Sequence, residues 1–401
     1  MKQDADVLVV GGGLAGATTA LHMARAGLSV QIFDGKRFPR EKPCGEGLMP
    51  HGVRLLDELG LLARLGPEDT HHFRGIEYVV DGDIRARGEF PTLAGGYQLG
   101  MGVRRLKLDE TILSMARAHP NIQVHEEARV DGVILAEGRA IGLKTRMGEV
   151  YGRLIVGADG RGSLVRRQVG LDAPGAKRQR WGIRAHYYFP DAARVGEFVE
   201  VYKNRFGELY TTPVGPHELL VALLIEKEDM KRFGGKLEQG YFEYIATFPH
   251  LQKRLEGAQP CSDVMACGPL ACASKRPYGP GVMLVGDAAG FLDAITGEGM
   301  TLALSCAKAA SQVAVTALAQ GEATEAALAP YGPARDRITR HYYIMTHSLL
   351  MLSKYHGLAR FVVARMGKAP GLFRQLLGLN CGHFRAREIV WGDLGRFLVG
   401  V

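Results

Sequence analysis

The chain carries, at residues 7–16, the sequence VLVVGGGLAG, in which an apolar run is followed by three consecutive glycines and a fourth at Gly16. This pattern predicts a buried strand that leads through a tight turn into a helix. In such a turn Gly11 allows the bend, Gly13 lets the backbone approach a pyrophosphate, and Gly16 lets the helix close onto the strand. The phosphates would then lie on unpaired N–H groups at the helix N-terminus.

The next apolar segment, residues 29–33, ends in Asp34. An acid at this distance from the glycines accepts hydrogen bonds from ribose hydroxyls in dinucleotide-binding folds. A glycine-rich turn of an ordinary α/β protein is the less favoured alternative, because strand, helix and terminal acid are all in place.

Two further glycine segments follow much later in the chain, GADGRGSLVR at residues 157–166 and VMLVGDAAGFLDAITGEGM at residues 282–300. Together with the first segment they resemble the para-hydroxybenzoate hydroxylase superfamily of FAD proteins. That superfamily includes aromatic hydroxylases, epoxidases, flavin halogenases and geranylgeranyl reductases. The resemblance covers about residues 5–320.

The resemblance implies that FAD is held non-covalently along its whole length. Asp287 would bind the ribityl chain, and the turn from Gly297 to Met300 would present a helix N-terminus to the flavin, where backbone N–H groups stabilise negative charge. Asp159 would shape the turn near the pyrophosphate. The residues expected to bind FAD are Gly11, Gly13, Ala15, Gly16, Asp34, Gly35, Cys44, Gly45, Arg105, Val130, Asp159, Gly286, Asp287, Gly297, Gly299 and Met300.

Arg105 matches the arginine that reaches the FAD phosphates in this superfamily. Arg104 beside it is an alternative for that role, and either residue could instead be only a solvated charge at the start of a helix.

A chain of 401 residues exceeds one typical core, so two domains are expected. The fold class is α/β: a Rossmann-type FAD-binding domain interleaved with a mostly antiparallel β-sheet substrate domain, plus C-terminal helices. The active site would lie between the two domains. The expected ranges are 1–70, 100–175 and 280–325 for the FAD-binding domain, 71–99 and 176–279 for the substrate domain, and 326–401 for the C-terminal helices.

Composition favours a folded, reduced, cytoplasmic protein. Hydrophobic residues make up 46% of the chain and 53 residues are glycine, as in Rossmann-type proteins rather than disordered ones. The six cysteines have no CxxC spacing, so neither a metal site nor a disulfide framework is predicted. The first strand begins within the first ten residues, which leaves no room for a signal peptide.

The positive charge is concentrated at the C-terminal end. Residues 331–401 contain eleven Lys or Arg and three Asp or Glu, a net charge of +8 that equals the charge of the whole chain. The same region has apolar residues at helical spacing: Ile344, Leu349, Leu350, Leu352, Leu358, Phe361, Val362 and Met366. We favour helices packed on the core over a basic amphipathic surface resting on anionic lipid. No nucleic-acid partner is predicted, because no recognition motif accompanies the charge.

Two segments report on the reaction. KPCGEGLMP at residues 42–50 is similar both to the geranylgeranyl reductase segment that approaches the flavin and to the halogenase one. GELYTTPVG at residues 207–215 lacks the tryptophan signatures that both groups carry in that region, and the only tryptophans are Trp181 and Trp391. This departure argues against halogenation and weakens the reductase interpretation.

The sequence therefore predicts an FAD-dependent monooxygenase, a hydroxylase or epoxidase, that uses NADPH or NADH and acts on a bulky, largely apolar or aromatic small molecule. The alternatives are a geranylgeranyl reductase-like alkene reductase acting on a prenyl or lipid substrate and a non-catalytic FAD-binding protein. Cys44 and Tyr210 are the catalytic candidates, although Cys44 is equally well explained as a small buried apolar residue. His186, Tyr187 and Tyr188 would line the pocket or belong to the core. The oligomeric state stays open.

Overall fold

The computed structural model describes residues 3–175 and 177–381. The strands are β1 (Ala5–Val10), β2 (Val30–Phe33), β3 (Gly47–Leu48), β4 (Thr70–Phe73), β5 (Gly75–Val80), β6 (Ile84–Glu89), β7 (Gly100–Val103), β8 (Ile122–His125), β9 (Val130–Ala136), β10 (Arg139–Thr145), β11 (Gly148–Gly157), β12 (Asp172–Ala173), β13 (Arg180–Tyr188), β14 (Phe198–Lys203), β15 (Glu208–Gly215), β16 (Glu218–Glu226), β17 (Gln259–Pro260), β18 (Met265–Cys267), β19 (Cys272–Ser274), β20 (Tyr278–Gly279), β21 (Val282–Leu284) and β22 (Gly290–Phe291). The α-helices are α1 (Leu14–Arg25), α2 (Pro50–Glu58), α3 (Arg105–Arg117), α4 (Leu164–Gln168), α5 (Lys227–Arg232), α6 (Leu237–Ala246), α7 (Pro249–Arg254), α8 (Gly299–Ala319), α9 (Glu325–Leu328), α10 (Tyr331–Lys354), α11 (His356–Lys368) and α12 (Pro370–Asn380).

The first of two large sheets has the strand order β20-β21-β11-β1-β2-β8, and β10 and β9 continue from β11 as an antiparallel extension. The five strands from β21 to β8 run parallel to one another. The strand β1 is buried along almost its whole length, which explains why its sequence is a continuous apolar run rather than an alternating one. Helices α1 and α8 pack against each other beside this sheet.

The second large sheet has the order β17-β13-β16-β15-β14-β5-β6, with β18 also paired to β13. All of its pairs are antiparallel except that between β14 and β5. Strands β5 and β6 form a hairpin around Asp81 and Gly82. The α/β fold class with a parallel sheet and a mostly antiparallel one is confirmed, whereas the residue ranges of the domains stay a prediction.

The C-terminal helices pack on both parts of the molecule. α10 contacts α8, and α11 and α12 lie against the outer strand β6. The apolar residues predicted as one stripe are divided: Met366 is buried, whereas Ile344 and Phe361 are more than half exposed. Residues 382–401, including Trp391 and part of the basic segment, lie outside the described residues.

Helix α8 is the one helix in the described part of the chain whose length and hydropathy would suit a membrane span. Half of that apolar window is buried inside the protein, and the helix packs against α1 and α10. These contacts are typical of a core helix.

Candidate active site

One large cavity runs between the two sheets, and its volume is about 1220 Å³. Pockets for a single small ligand measure roughly 300–1,000 Å³, so this cavity is large enough for a cofactor together with a second molecule. Every residue predicted to contact FAD borders it except Gly16. The catalytic candidates Cys44 and Tyr210 border it too.

The glycines of the first segment are required by close contacts. Gly11 has φ +104°, and a Cβ there would lie 2.5 Å from the backbone oxygen of Ala158. A Cβ at Gly16 would lie 1.8 Å from the oxygen of Gly11, so the helix touches the turn that precedes it. Gly13 caps α1 without a side-chain hydrogen bond and borders the cavity, which leaves the first N–H groups of the helix available to an anion.

Asp34 is held at the end of β2 by backbone hydrogen bonds. The N–H of Gly12 donates to Oδ2 at 2.8 Å, and the N–H of Lys36 donates to Oδ1 at 2.9 Å. Each carboxylate oxygen can accept two hydrogen bonds, so Asp34 can still accept hydrogen bonds from ribose hydroxyls. Nη2 of Arg40 is 3.8 Å from Asp34 Oδ2, and it would be 3.4 Å from a Cβ on Gly13. Sequence reasoning missed Arg40, which supplies positive charge at the dinucleotide end.

Asp159 organises the second glycine segment. Its Oδ1 accepts a hydrogen bond from Ser163 Oγ at 2.5 Å, and its Oδ2 accepts from the N–H of Leu164 at 2.7 Å. Both interactions fix the start of helix α4 beside the cavity. This geometry is that of a residue that shapes a turn.

Of the two neighbouring arginines, Arg105 borders the cavity and Arg104 does not. Arg105 is buried, and Asp109 accepts two hydrogen bonds from its guanidinium, each 2.8 Å long. Burial opposes its charge, but Asp109 and Cys44 together raise the pKa of Arg105. Arg104 is instead paired with Glu41 at 2.5 Å, which joins the loop that precedes β3 to helix α3.

The third glycine segment brings a free carboxylate to the cavity. Asp287 lies in a short 3₁₀ helix, Gly286–Ala289, and within residues 3–175 and 177–381 its carboxylate has no hydrogen bond or ion pair. Gly286 has φ +58°, and a Cβ there would be 2.8 Å from that of Ala15 in α1. Gly299 begins α8 at the cavity wall. A free acid acceptor, a helix N-terminus and the glycine turn fit an extended dinucleotide, so these residues can hold FAD.

Glu46 is a second residue that sequence reasoning missed. It has φ +57° between two glycines and its side chain is fully buried. Its carboxylate accepts the N–H of Arg105 at 2.9 Å and contacts Nε2 of His186 at 2.6 Å. This buried pair joins the loop that carries Cys44 to strand β13 of the second sheet.

The three aromatic candidates on β13 do not line the cavity in the described structure. His186 is fully buried against Glu46, and Tyr187 belongs to the core between the second sheet and its helices. Tyr188 is 41% exposed. The interpretation of these residues as pocket wall was therefore wrong, whereas that of core holds for His186 and Tyr187.

Away from the glycine segments the cavity becomes an apolar chamber. Its floor is the second sheet and its roof is formed by α10, α11 and α12. Strands and helices contribute apolar side chains from both sides: Ile76, Val80, Val199, Val201, Leu224, Leu349, Leu352, Val362, Val363, Met366, Phe373, Leu376 and Leu377. Apolar side chains on two sides of the chamber disfavour water around a bound molecule, a condition that favours oxygen chemistry at a flavin.

Glu298 lies directly before α8, behind the cavity wall. Burial raises the pKa of Glu298 to about 8, against the opposing effect of Thr301. Asn380 Nδ2 donates to its Oε1 at 3.3 Å, and within residues 3–175 and 177–381 no basic side chain pairs with it. The carboxyl group is therefore protonated at neutral pH.

We expect Glu298→Gln to make the protein more stable than the wild type at pH 8 but not at pH 5. In the unfolded chain the carboxyl ionises near its ordinary pKa of about 4.3, whereas in the folded chain it stays neutral to about pH 8. Wild-type stability should thus fall by about 1.4 kcal/mol per pH unit across that window, and the glutamine variant should not show this loss.

Thermal unfolding of both proteins between pH 5 and pH 8 measures the difference. Glu238→Gln, at an exposed position on α6, is the matched control and should follow the wild type. A Glu298→Gln variant with the pH slope of the wild type would show that Glu298 ionises normally.

The comparisons with known proteins agree with this site. Residues 4–203 match the family described as FAD binding domain. The chain is 26% identical to the 6-methylpretetramide 4-monooxygenase of Streptomyces rimosus, over 97% of this chain and 92% of that protein. It is 28% identical to digeranylgeranylglycerophospholipid reductase 1 of Methanopyrus kandleri, over 81% and 84% of the two chains. The flavin-dependent brominase Bmp2 has the same fold, with a TM-score of 0.79 at 20% identity over 99% and 98% of the chains.

The chain therefore belongs to the superfamily of FAD-dependent monooxygenases and geranylgeranyl reductase-like flavoproteins. It is an FAD-binding oxidoreductase, because its relatives are named as monooxygenases, reductases and halogenases. The non-catalytic alternative is not supported.

Proposed function

We propose that this protein is an NAD(P)H-dependent FAD monooxygenase, a hydroxylase or epoxidase of a bulky, largely apolar or aromatic small molecule. The observation that carries the proposal is the continuous cavity, which joins a dinucleotide site to an apolar chamber. The similarity to a monooxygenase over 97% of the chain supports it.

Bound FAD would supply the redox chemistry, with NADPH or NADH as the source of hydride and O2 as the source of the oxygen atom that enters the substrate, the other oxygen atom leaving as water. The residues of this chain bind, orient and exclude water. The backbone N–H groups at the start of α8 would stabilise the negative charge of the reduced ring. The apolar side chains of α10, α11 and α12 would keep the reacting atoms dry.

The specific experiment is a comparison of NADH and NADPH as reductants of the FAD-loaded protein, followed by oxygen consumption with candidate lipids, polyketides and aromatic compounds. A monooxygenase should consume O2 in proportion to product. Reoxidation of the flavin without any product from any of these compounds would leave the proposal without support.

An alkene reductase is the second candidate, and one observation favours it. Cys44 borders the cavity on the loop between the two sheets, and its sulfur lies 3.5 Å from the backbone nitrogen of Glu46. A thiol at this place could donate a proton to an alkene carbon while the reduced cofactor supplies a hydride. The absence of the tryptophan signature of the reductases from residues 207–215 remains the reason to rank this candidate second.

Cys44→Ser distinguishes the two reactions. We expect the variant to keep flavin reduction and most of the oxygen transfer, because oxygenation depends on a dry pocket more than on a thiol. In an alkene reductase the same change should lower turnover by roughly a hundredfold or more, since it removes the proton donor. Steady-state turnover with the identified substrate is the measurement, and Cys261→Ser, at an exposed cysteine, is the control.

We further propose that the protein works in a reducing cytoplasm and that its C-terminal helices touch anionic membranes peripherally. The six cysteines are free thiols. The exposed apolar side chains Leu358 and Phe361 lie on α11 together with Arg360 and Arg365, the combination expected of an interfacial surface. Sedimentation of the intact protein with vesicles containing phosphatidylserine tests the contact.

A further inference from the structure

Two tyrosines lie in one row on the floor of the apolar chamber, with Val201 between them. Tyr78 on β5 and Tyr210 on β15 are both paired in register with Val201 on the intervening strand β14. All three residues border the cavity. Because they occupy one row across three strands, they project from the same face of the sheet, with the two tyrosine backbones about 9–10 Å apart.

The hydroxyl groups of these tyrosines have no hydrogen-bond partner among residues 3–175 and 177–381. Their surroundings are apolar: the ring of Tyr78 lies 5.9 Å from that of Phe373 in α12, and Tyr210 packs with Leu224 and Ile295. A ligand that displaces water from the chamber would leave both hydroxyls unsatisfied unless it brings polar atoms of its own.

The next row of residues on the same face of the sheet contains charged side chains of both signs. Lys203 and Glu208 are opposite each other on β14 and β15. The Nζ of Lys203 donates to the backbone oxygens of Asn204 at 3.0 Å and Gly207 at 3.3 Å, and Glu208 is paired with the buried Arg180. Arg180 also lies 3.6 Å from Asp293, so the cations Lys203 and Arg180 are matched by the acids Glu208 and Asp293, and this row has no excess positive charge to attract an anionic substrate.

The tyrosines themselves are donors. Burial, followed by the nearby carboxylate of Glu208, raises the pKa of Tyr78 and raises that of Tyr210 well above its ordinary value. Both hydroxyls thus keep their protons, and Glu208 disfavours a second negative charge beside them. An acceptor without formal charge on the ligand would satisfy both donors without adding negative charge beside Glu208.

We propose that Tyr78 and Tyr210 form a substrate subsite in which their hydroxyls donate hydrogen bonds to neutral carbonyl oxygens, so the substrate is an apolar or aromatic molecule that carries ketone- or quinone-type groups. The inference rests on the proposed function, because it takes the apolar chamber as the substrate site. Tyr210 thereby becomes a residue that determines specificity, with Tyr78 as its partner.

Three probes that share two phenyl rings separate the possible chemistries: benzophenone has a neutral carbonyl, diphenylmethane has no polar group, and diphenylacetate is an anion. Equilibrium dialysis against the FAD-loaded protein measures their affinities without reductant or turnover. We expect benzophenone to bind about tenfold or more tightly than diphenylmethane, the effect of one or two hydrogen bonds. Diphenylacetate should bind more weakly than benzophenone.

The variant with both Tyr78→Phe and Tyr210→Phe should lose the preference for benzophenone while binding diphenylmethane unchanged. Tyr188→Phe, at an exposed position on β13, is the matched control and should keep the preference. Circular dichroism and retained FAD check that each variant is folded.

Equal binding of benzophenone and diphenylmethane by the wild type, an undiminished preference in the double variant, strongest binding of diphenylacetate, or no binding of any probe would overturn the proposal. Failure of the subsite proposal can be distinguished from failure of the proposed function. A carbonyl preference without oxygen incorporation would leave the subsite standing and refute the monooxygenase, whereas oxygenation without that preference would do the reverse.

Discussion

Asp287→Ala should yield a protein that has lost most of its FAD, whereas the wild type should be yellow, with the cofactor released on denaturation. The carboxylate of Asp287 has no partner among the described residues and borders the cavity, so a hydroxyl-rich cofactor is the group that satisfies it. A hydrogen bond to a charged acceptor contributes about 1.5–3 kcal/mol, which corresponds to roughly a tenfold to hundredfold weaker affinity.

Titration of the apoprotein with FAD, followed by flavin fluorescence, measures this effect. Asp336→Ala, which removes an exposed acid on α10, should bind FAD like the wild type. Equal FAD affinity in the Asp287→Ala and wild-type proteins would remove Asp287 from the site. A colourless wild type that cannot be reconstituted would contradict FAD binding itself.

Truncation before Tyr331 should make the protein insoluble. The deleted helices carry the buried side chains Tyr342, Val363 and Phe373, and they form the roof of the cavity. Tyr331 Oη donates to the backbone oxygen of Leu284 at 3.1 Å, which ties α10 directly to the parallel sheet. Loss of this cover would expose a continuous apolar surface well above the few hundred Å² that soluble proteins usually tolerate.

Centrifugation of the expressed protein and gel filtration of any soluble fraction measure the outcome. The competing account assigns these helices to membrane contact alone. A truncated protein that stays soluble and active and loses only its binding to anionic vesicles would favour that account. It would contradict the claim that these helices cover the cavity.

The residues at the dinucleotide end of the site could be predicted from the sequence because the backbone conformations that they need are local. Gly11 is needed by its positive φ, Gly16 is needed by its contact with Gly11 in the first turn, and Asp34 follows at the end of the adjacent strand. The separate segments around Asp159 and Asp287 could be joined to it only through the superfamily resemblance. The structure brings all of these residues to one cavity.

The rest of the site depends on pairings that local patterns do not contain. Glu46 and His186 meet across 140 positions of sequence, and the isolated sequence gives neither residue a partner. Tyr78 and Tyr210 become neighbours only through the register of both strands with β14. A signal for Glu46 was present, since a residue between two glycines in a loop suggests a special backbone conformation.

The C-terminal region shows why periodicity alone was insufficient. Helical spacing correctly indicated amphipathic helices over residues 331–380, but it could not decide which apolar residues would be covered. Leu349 and Val362 border the cavity, whereas Phe361, next to Val362, is 51% exposed. Consecutive positions of a helix point in directions about 100° apart, so which apolar residues are covered depends on the face that α11 packs against β6, and no local pattern specifies that face.

The central claim is that the chamber beside the flavin site transfers an oxygen atom to an apolar substrate. A single turnover of enzyme reduced without oxygen, mixed with substrate and then with ¹⁸O-labelled O2, tests it most directly by mass spectrometry of the product. The account predicts no product before oxygen is admitted and one labelled oxygen atom per product molecule afterwards. Product formed without oxygen, two hydrogens heavier and unlabelled when oxygen is restored, would contradict it.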